Sequence, residues 1–284
     1  MKSLIIILSA ISFLMTKGQS TNINDMKKSI VNTKLGKIVV YQKIANTKNI
    51  PIIFLHGVYF DHHLWDNQIK EINDRVVITV DMPLHGESRN ISNPDWTLND
   101  CADMLLEILD SLQIPKVIAV GHSWGSMTIL RAAHKKPERF TSIGLCNMPF
   151  LAASKKQKNT FGLQHSMLVF RNFYTKQAAK ALFGKTSLVK NPSLINQLSQ
   201  PMNVLTNKEV KQIDKKVILD AEDATSLIQN LQVKAIALKG KEDYVPLPPK
   251  IETIIVEGGH ISPLEEPLKV LYLIKTLMEY KPSN

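Results

Sequence analysis

The stretch KVIAVGHSWGSMTILRAAH, Lys116 to His134, decides how the remainder of the chain is read. Lys116–Val120 is a short apolar run of the kind a buried strand needs, and Ser123–His134 reads as a helix. Between them stands Gly121-His122-Ser123-Trp124-Gly125, a serine with a glycine two residues to either side. A serine hydroxyl projects above a sheet only from a sharp, strained turn, and that turn leaves no room for bulky neighbours at those positions. The helix that follows aims its first N–H groups and its dipole at the same point. The bare pattern arises by chance in many chains. Flanked by a strand and a helix, it marks Ser123 as a candidate nucleophile.

Outward from this point the chain alternates. Lys37–Ile44 alternates apolar and polar residues, as a half-exposed strand near a sheet edge does, while Ile50–Leu55 and Arg75–Val80 are continuous apolar runs. Leu64–Ile72 fits a short helix, Thr97 opens a helix through Leu112, and Phe140–Leu145 is a further strand. After the middle of the chain come a helix at Ala221–Leu231, strands at Val233–Leu238 and Ile251–Val256, and a closing helix from Pro263 to Met278. Strands and helices in this rhythm predict an α/β fold: a mostly parallel sheet with helices on both faces. Ligands of such sheets bind beyond the carboxyl ends of the strands. The rhythm breaks between Leu151 and about Val217, where helical stretches are punctuated by Gly162, Gly184, Pro192 and Pro201. A segment that long is not a structureless loop. The expected organisation is therefore a core in two parts, residues 21–150 and 221–284, with a helical lid over residues 151–220.

A serine hydroxyl needs a base. Of the eight histidines, His260 in Glu257-Gly258-Gly259-His260 lies beyond Ser123 and directly after a late strand. His134 and His165 read as surface or lid positions; His56, His62, His63 and His85 precede the serine. His122, beside it, is expected to point away. For the acid that would orient His260, Asp243 follows the strand Val233–Leu238 and is placed ahead of its neighbour Glu242. Asp223 precedes that strand and reads as a helix N-terminal charge. Two backbone N–H groups must face the developing oxyanion. Trp124 supplies one, and the loop after His56-Gly57, most simply Val58, supplies the other. The Tyr59 and Trp124 side chains are candidates for the acyl pocket.

Leu55-His56-Gly57, Asp81-Met82-Pro83-Leu84-His85-Gly86-Glu87-Ser88, Gly121-His122-Ser123-Trp124-Gly125 and Gly258-Gly259-His260 together resemble the α/β-hydrolase superfamily. Within it, the lidded esterase, haloperoxidase-like and proline-iminopeptidase-like branch is most similar. Asp61-His62-His63-Leu64-Trp65 and Ser262-Pro263-Leu264-Glu265-Glu266-Pro267 also look like that branch. The resemblance spans about residues 36–150 and 220–280, and the lid resembles nothing in particular. It implies a Ser123/Asp243/His260 triad and no cofactor or metal. Serine at the elbow argues against haloalkane dehalogenases and epoxide hydrolases, which carry aspartate there. One departure stands out: only residues 240–250, with Pro246, Pro248 and Pro249, join the last two strands. A helical crossover takes at least about 10–12 residues, so the helix is expected to shrink to a turn or vanish. That leaves Asp243 and Glu242 in competition.

The expected reaction is hydrolysis of a small-molecule ester through an acyl-enzyme, with the lid setting specificity. A proline-iminopeptidase-like reaction would need lid carboxylates to hold an ammonium, and the lid has only Glu209, Asp214 and Asp220. Cofactor-free perhydrolysis would use the same triad. A non-catalytic binding protein on this fold would be marked by a damaged triad.

Composition bounds the rest. The chain has 284 residues, a globular composition and a net charge of +10. Most of the excess lies between Leu151 and Asp220, where twelve Lys/Arg face three acidic residues. That lid is either a solvated lysine-built face or a surface that attracts anions; no motif suggests nucleic acid. Lys2, the apolar run Leu4–Met15 and small residues at Gly18 and Ser20 predict a signal peptide over residues 1–20, hence an exported protein starting near Thr21. Cys101 and Cys146 read as free thiols.

Overall fold

The computed structural model describes residues 26–281. The signal-peptide reading of residues 1–20 lies outside them. Eight strands form one sheet among the described residues: β1 (Lys27–Thr33), β2 (Gly36–Lys43), β3 (Ile52–Leu55), β4 (Val77–Val80), β5 (Val117–His122), β6 (Phe140–Cys146), β7 (Lys234–Gly240) and β8 (Glu252–Val256). Their order is β1-β2-β4-β3-β5-β6-β7-β8. The β1–β2 and β2–β4 pairs are antiparallel and the others parallel. The mostly parallel α/β sheet is therefore present, with one strand more than the sequence patterns predicted. β1 escaped because it is an edge strand with only Val31 buried, too little for an apolar signature.

The helices of the core are α1 (Asp66–Ile69), α2 (Leu98–Ser111) and α3 (Trp124–Lys135). After β6 come α4 (Lys155–Ser166), α5 (Arg171–Leu182), α6 (Lys185–Lys190), α7 (Leu194–Val204) and α8 (Asn207–Asp214). The chain then returns through α9 (Thr225–Gln229) and, beyond β8, α10 (Ser262–Glu265) and α11 (Pro267–Glu279). Contacts of α3 with α2 and α9, and of α11 with α1 and α10, define the helical layers against the sheet. α2 starts where Thr97 and Asp100 close a reciprocal capping box.

Three predicted helices differ in extent. The segment 64–72 is a 3₁₀ turn, His62–Trp65, running into the short α1. The helix expected over Ala221–Leu231 is reduced to α9. The closing helix is broken at Glu266 (φ −134°, ψ 56°), which leaves the helical region because Pro267 disfavours a helical predecessor. As expected, no helix joins β7 to β8. No helix among the described residues is long and apolar enough to cross a membrane. Cys101 on α2 and Cys146 at the end of β6 are both free and buried.

Sheet register decides what meets what. β3 and β5 are parallel neighbours, with Leu55 opposite Gly121, so the loop after Leu55 emerges beside Ser123. Along the same edge Cys146 pairs with His122 and with Leu238, and Val256 with Gly240. The chain leaves β3 for β4 on one side while β5 lies on the other, and the crevice opens at this switch.

Candidate active site

Ser123 sits at φ 50°, ψ −111°, between β5 and α3. Only close backbone approach makes that turn possible. A Cβ on Gly121 would lie 2.3 Å from the Ser126 amide nitrogen, and one on Gly125 would lie 2.2 Å from the Leu55 carbonyl oxygen. Both glycines are thus required by space.

His260 Nε2 is 2.9 Å from Ser123 Oγ, and His260 Nδ1 is 2.9 Å from Asp243 Oδ1. All three side chains are buried. His260 is held on several sides: its amide donates to the Leu182 carbonyl (2.7 Å), its carbonyl accepts from His122 Nε2 (2.7 Å), and Tyr244 stacks on its ring. The glycines before it admit the helical segment, since a Cβ on Gly259 would lie 2.3 Å from the Gly184 nitrogen.

Asp243 accepts from Asn147 Nδ2 (2.9 Å) and the Val245 amide (3.2 Å) as well as facing His260. Burial works to raise its carboxyl, but the His260 charge and these hydrogen bonds prevail and hold it below the usual carboxylate range. Glu242 is turned elsewhere; its exposed carboxylate accepts the amides of Lys185 (2.8 Å) and Thr186 (3.1 Å) at the start of α6. Asp223 is exposed and accepts the Thr225 amide at the start of α9.

Val58 and Tyr59 follow β3 and line the same cavity as Ser123. Among the described residues, neither the Val58 nor the Trp124 amide has a hydrogen-bond partner within the fold, and Trp124 is the first residue of α3. The loop that carries Val58 is braced by two buried histidines. His56 Nδ1 donates to the Gly57 carbonyl (2.7 Å), while its Nε2 accepts the Met82 amide (2.9 Å). His85 Nδ1 donates to the Pro83 carbonyl (3.0 Å) and its Nε2 accepts the Tyr59 amide (2.9 Å). An imidazole that accepts at Nε2 must be neutral. Burial accordingly pushes His56 down to about 3 and His85 down to about 4.

Tyr59 itself has φ 69°, a left-handed conformation that costs a non-glycine residue energy. Its hydroxyl is bonded to Asp214 on α8, whose other oxygen lies 2.8 Å from His165 Nε2 of α4 and 3.4 Å from Tyr174 Oη of α5. Burial, then the Asp214 charge, raise the Tyr59 hydroxyl well above its ordinary value, so it remains a donor. The inserted helices and the loop beside Ser123 thus share one buried polar knot.

Two expectations about side chains are overturned. His122 does not point away: its ring packs edge-on against His260 and Phe60 and lines the cavity, because its Nε2 hydrogen finds the His260 carbonyl. Burial, then the neighbouring His260, push it down to about 3. The Trp124 side chain does not line the pocket; it is fully buried and stacked on Trp96 beneath the elbow. His56, His85, Asn147 and Asp214 went unnoticed as parts of the site. Asn147 carried a usable signal, since it too follows a strand directly. Asp214 carried none, because its partner Tyr59 is 155 residues away.

Above Ser123 lies a cavity of about 610 Å³. Its walls are mainly apolar, with Met127, Leu151, Phe161, Met167 and Phe173 among them. Ser123 and His260 form part of its lining. Such a chamber accommodates a medium-sized, largely apolar ligand with one polar group at the serine.

The α/β-hydrolase-fold family model matches residues 50–267. A hydrolase of uncharacterised activity, YugF from Bacillus subtilis, is 22% identical over 251 residues, 82% of this chain and 91% of that protein. Among solved structures, a thermophilic esterase from Thermogutta terrifontis superposes with a TM-score of 0.76 at 21% identity, covering 88% of this chain and 97% of that one. The enol-lactonase from Burkholderia xenovorans LB400 gives 0.74 at 18% identity, covering 89% and 100%. At these identities the two superpositions show the fold alone.

Proposed function

Because the chain belongs to the α/β-hydrolase family, we propose that it is a serine hydrolase that cleaves carboxylic esters through an acyl-enzyme. The observation that carries this reading is the hydrogen-bonded line Ser123–His260–Asp243 at the base of an apolar cavity. In this mechanism Ser123 Oγ attacks the ester carbonyl carbon as its proton passes to His260 Nε2. Negative charge on the carbonyl oxygen is met by the Val58 and Trp124 amides. The C–O bond to the alcohol then breaks, and the alcohol leaves with the proton from His260. Water, deprotonated by His260, attacks the acyl carbon and frees the acid and Ser123. Asp243 accepts the Nδ1 hydrogen throughout, which fixes the tautomer and stabilises the imidazolium. Tyr59 and the inserted helices shape the acyl site.

The carboxylates of the inserted segment favour an ester over a peptide with a free amino end. Glu209 pairs with Arg89, Asp214 lies in the knot with Tyr59 and His165, and Asp220 pairs with Lys215. None is free to hold a substrate ammonium. The test is fluorophosphonate labelling beside turnover of p-nitrophenyl esters of increasing acyl length, wild type against Ser123→Ala. Labelling and turnover lost in the variant are expected. A wild type that neither labels nor turns over any ester overturns the proposal.

A further inference from the structure

Exposed apolar side chains gather beside the cavity. Leu163 (72% exposed), Val169 (80%), Phe170 (64%) and Phe173 (50%) stand out from α4, α5 and the turn between them. Phe173 also lines the cavity, so the exposed apolar lip continues into the chamber above Ser123. α4 has no buried residue at all, although it is a well-capped helix begun by Ser154 and Gln157. Exposed apolar side chains grouped in this way mark an interaction site.

Charge says what the lip meets. From Leu151 to Lys208 the sequence has nine Lys/Arg and no Asp or Glu. Lys155, Lys156 and Lys158 lie on α4, and Lys176 and Lys180 on α5. Among the described residues, the ion pairs of the inserted segment engage Glu209, Asp214, Asp220 and Lys216, and none of these five lysines. Helical spacing puts Lys176 and Lys180, three and seven residues past Phe173, on the same face of α5 as that side chain. The lip is thus an apolar strip edged by unpaired ammonium groups.

We propose that this face docks on an anionic lipid bilayer and thereby draws ester substrates dissolved in the bilayer into the cavity. The second half rests on the ester-hydrolase reading; the docking half does not. Apolar tips such as Val169 and Phe170 enter the boundary between headgroups and acyl chains, as the apolar face of an interfacial helix does. Lysine suits the rim, since its methylene stem lies along apolar surface while the ammonium reaches out to headgroup phosphates. A second copy of the same face is disfavoured, because it would bring two unpaired lysine rims together.

The test uses the full-length chain with Ser123→Ala, so that turnover does not change the vesicles. It is sedimented with vesicles of phosphatidylcholine alone and of phosphatidylcholine with 30% phosphatidylglycerol. Each ammonium near an anionic surface strengthens binding about fivefold, so binding to the anionic vesicles is expected to exceed neutral binding at least tenfold and to fall with salt. Two variants separate the parts: Lys155/Lys156/Lys158/Lys176/Lys180→Gln removes the charge, and Val169→Ser with Phe170→Ser removes the lip. Both are expected to lose most of the binding to anionic vesicles, the lysine variant by losing the anionic preference and the lip variant by losing its anchor, and on the Ser123 background both keep wild-type fluorophosphonate labelling. Residues 1–20 are common to every sample, so their contribution cancels where a variant is compared with its parent on the same vesicles. Equal binding to both vesicle types, or anionic binding untouched by both variants, overturns the docking while leaving the ester reading intact. Normal anionic binding by a chain that never labels overturns the ester reading and leaves the docking standing. A dimer that dissociates on Phe170→Ser and ignores vesicles would assign the lip to a second copy instead.

Discussion

Lowering the pH from 7 to 5 should remove about 6 kcal/mol of folding stability. Three buried imidazoles set this figure. His56, His85 and His122 stay neutral in the folded protein down to about 3, about 4 and about 3. In the unfolded chain each takes a proton near its ordinary value of about 6.5. Within that window the unfolded state holds more protons, so stability rises with pH. The contribution is complete above about 6.5 and is lost as pH falls toward the folded values. Integrated from pH 7 to 5, one such group contributes about 2 kcal/mol. Asp243 does not offset this, because its lowered carboxyl stays charged across the window. An ordinary domain is stable by about 5–15 kcal/mol, so the predicted loss is more than a third of it. Urea unfolding at pH 7, 6 and 5 measures it directly. His85→Gln, whose amide oxygen can accept the Tyr59 N–H, should remove about a third of the pH slope. A change below about 1 kcal/mol between pH 7 and 5 would refute the reasoning, as would an unchanged slope in His85→Gln.

Asp243→Asn should keep the geometry but present the wrong hydrogen to His260, lowering kcat on a p-nitrophenyl ester about 10⁴-fold with little change in KM. A loss under about tenfold in a folded variant would place the acid elsewhere. Asp214→Ala strands the Tyr59 hydroxyl in a buried site, which costs about 1–3 kcal/mol, and frees the loop that carries Val58. Both Tm and kcat should fall, with Asp214→Asn recovering most of each because its amide oxygen still accepts; an unchanged kcat in the alanine variant would detach that knot from catalysis. Export, which rests on residues 1–20 alone, predicts that N-terminal sequencing of protein recovered outside the cytoplasm begins at Thr21.

What could be read from the sequence was mostly what depends on local chemistry. The elbow was legible because the Ser123 turn restricts its neighbours to glycine, and the strands from β3 to β6 were legible because burial on both faces makes them continuously apolar. β1 was not: of its seven residues only Ile30 and Val31 are apolar, whereas the opposite edge strand β8 kept the run Ile254-Ile255-Val256. His260 stood out by its place after a strand, and the structure sets Asp243 rather than Glu242 beside it. The histidines that brace the Val58 loop were invisible as such. Their partners are backbone groups up to 26 residues away, and nothing in residue type announces a bond to a remote amide. The Tyr59–Asp214 contact is harder still, because it links two segments that only the finished fold brings together.

Cys101 and Cys146 are the only cysteines in the chain, and both are buried. Burial raises both thiols, that of Cys146 to about 12, so at neutral pH neither offers a thiolate to an alkylating reagent. The native protein is therefore a blank background for chemical labelling. A single cysteine placed at Val169, where the side chain is 80% exposed, would be the sole addressable handle. A polarity-sensitive dye there would report directly on whether α4 and α5 leave water when vesicles are added, without first removing any natural thiol.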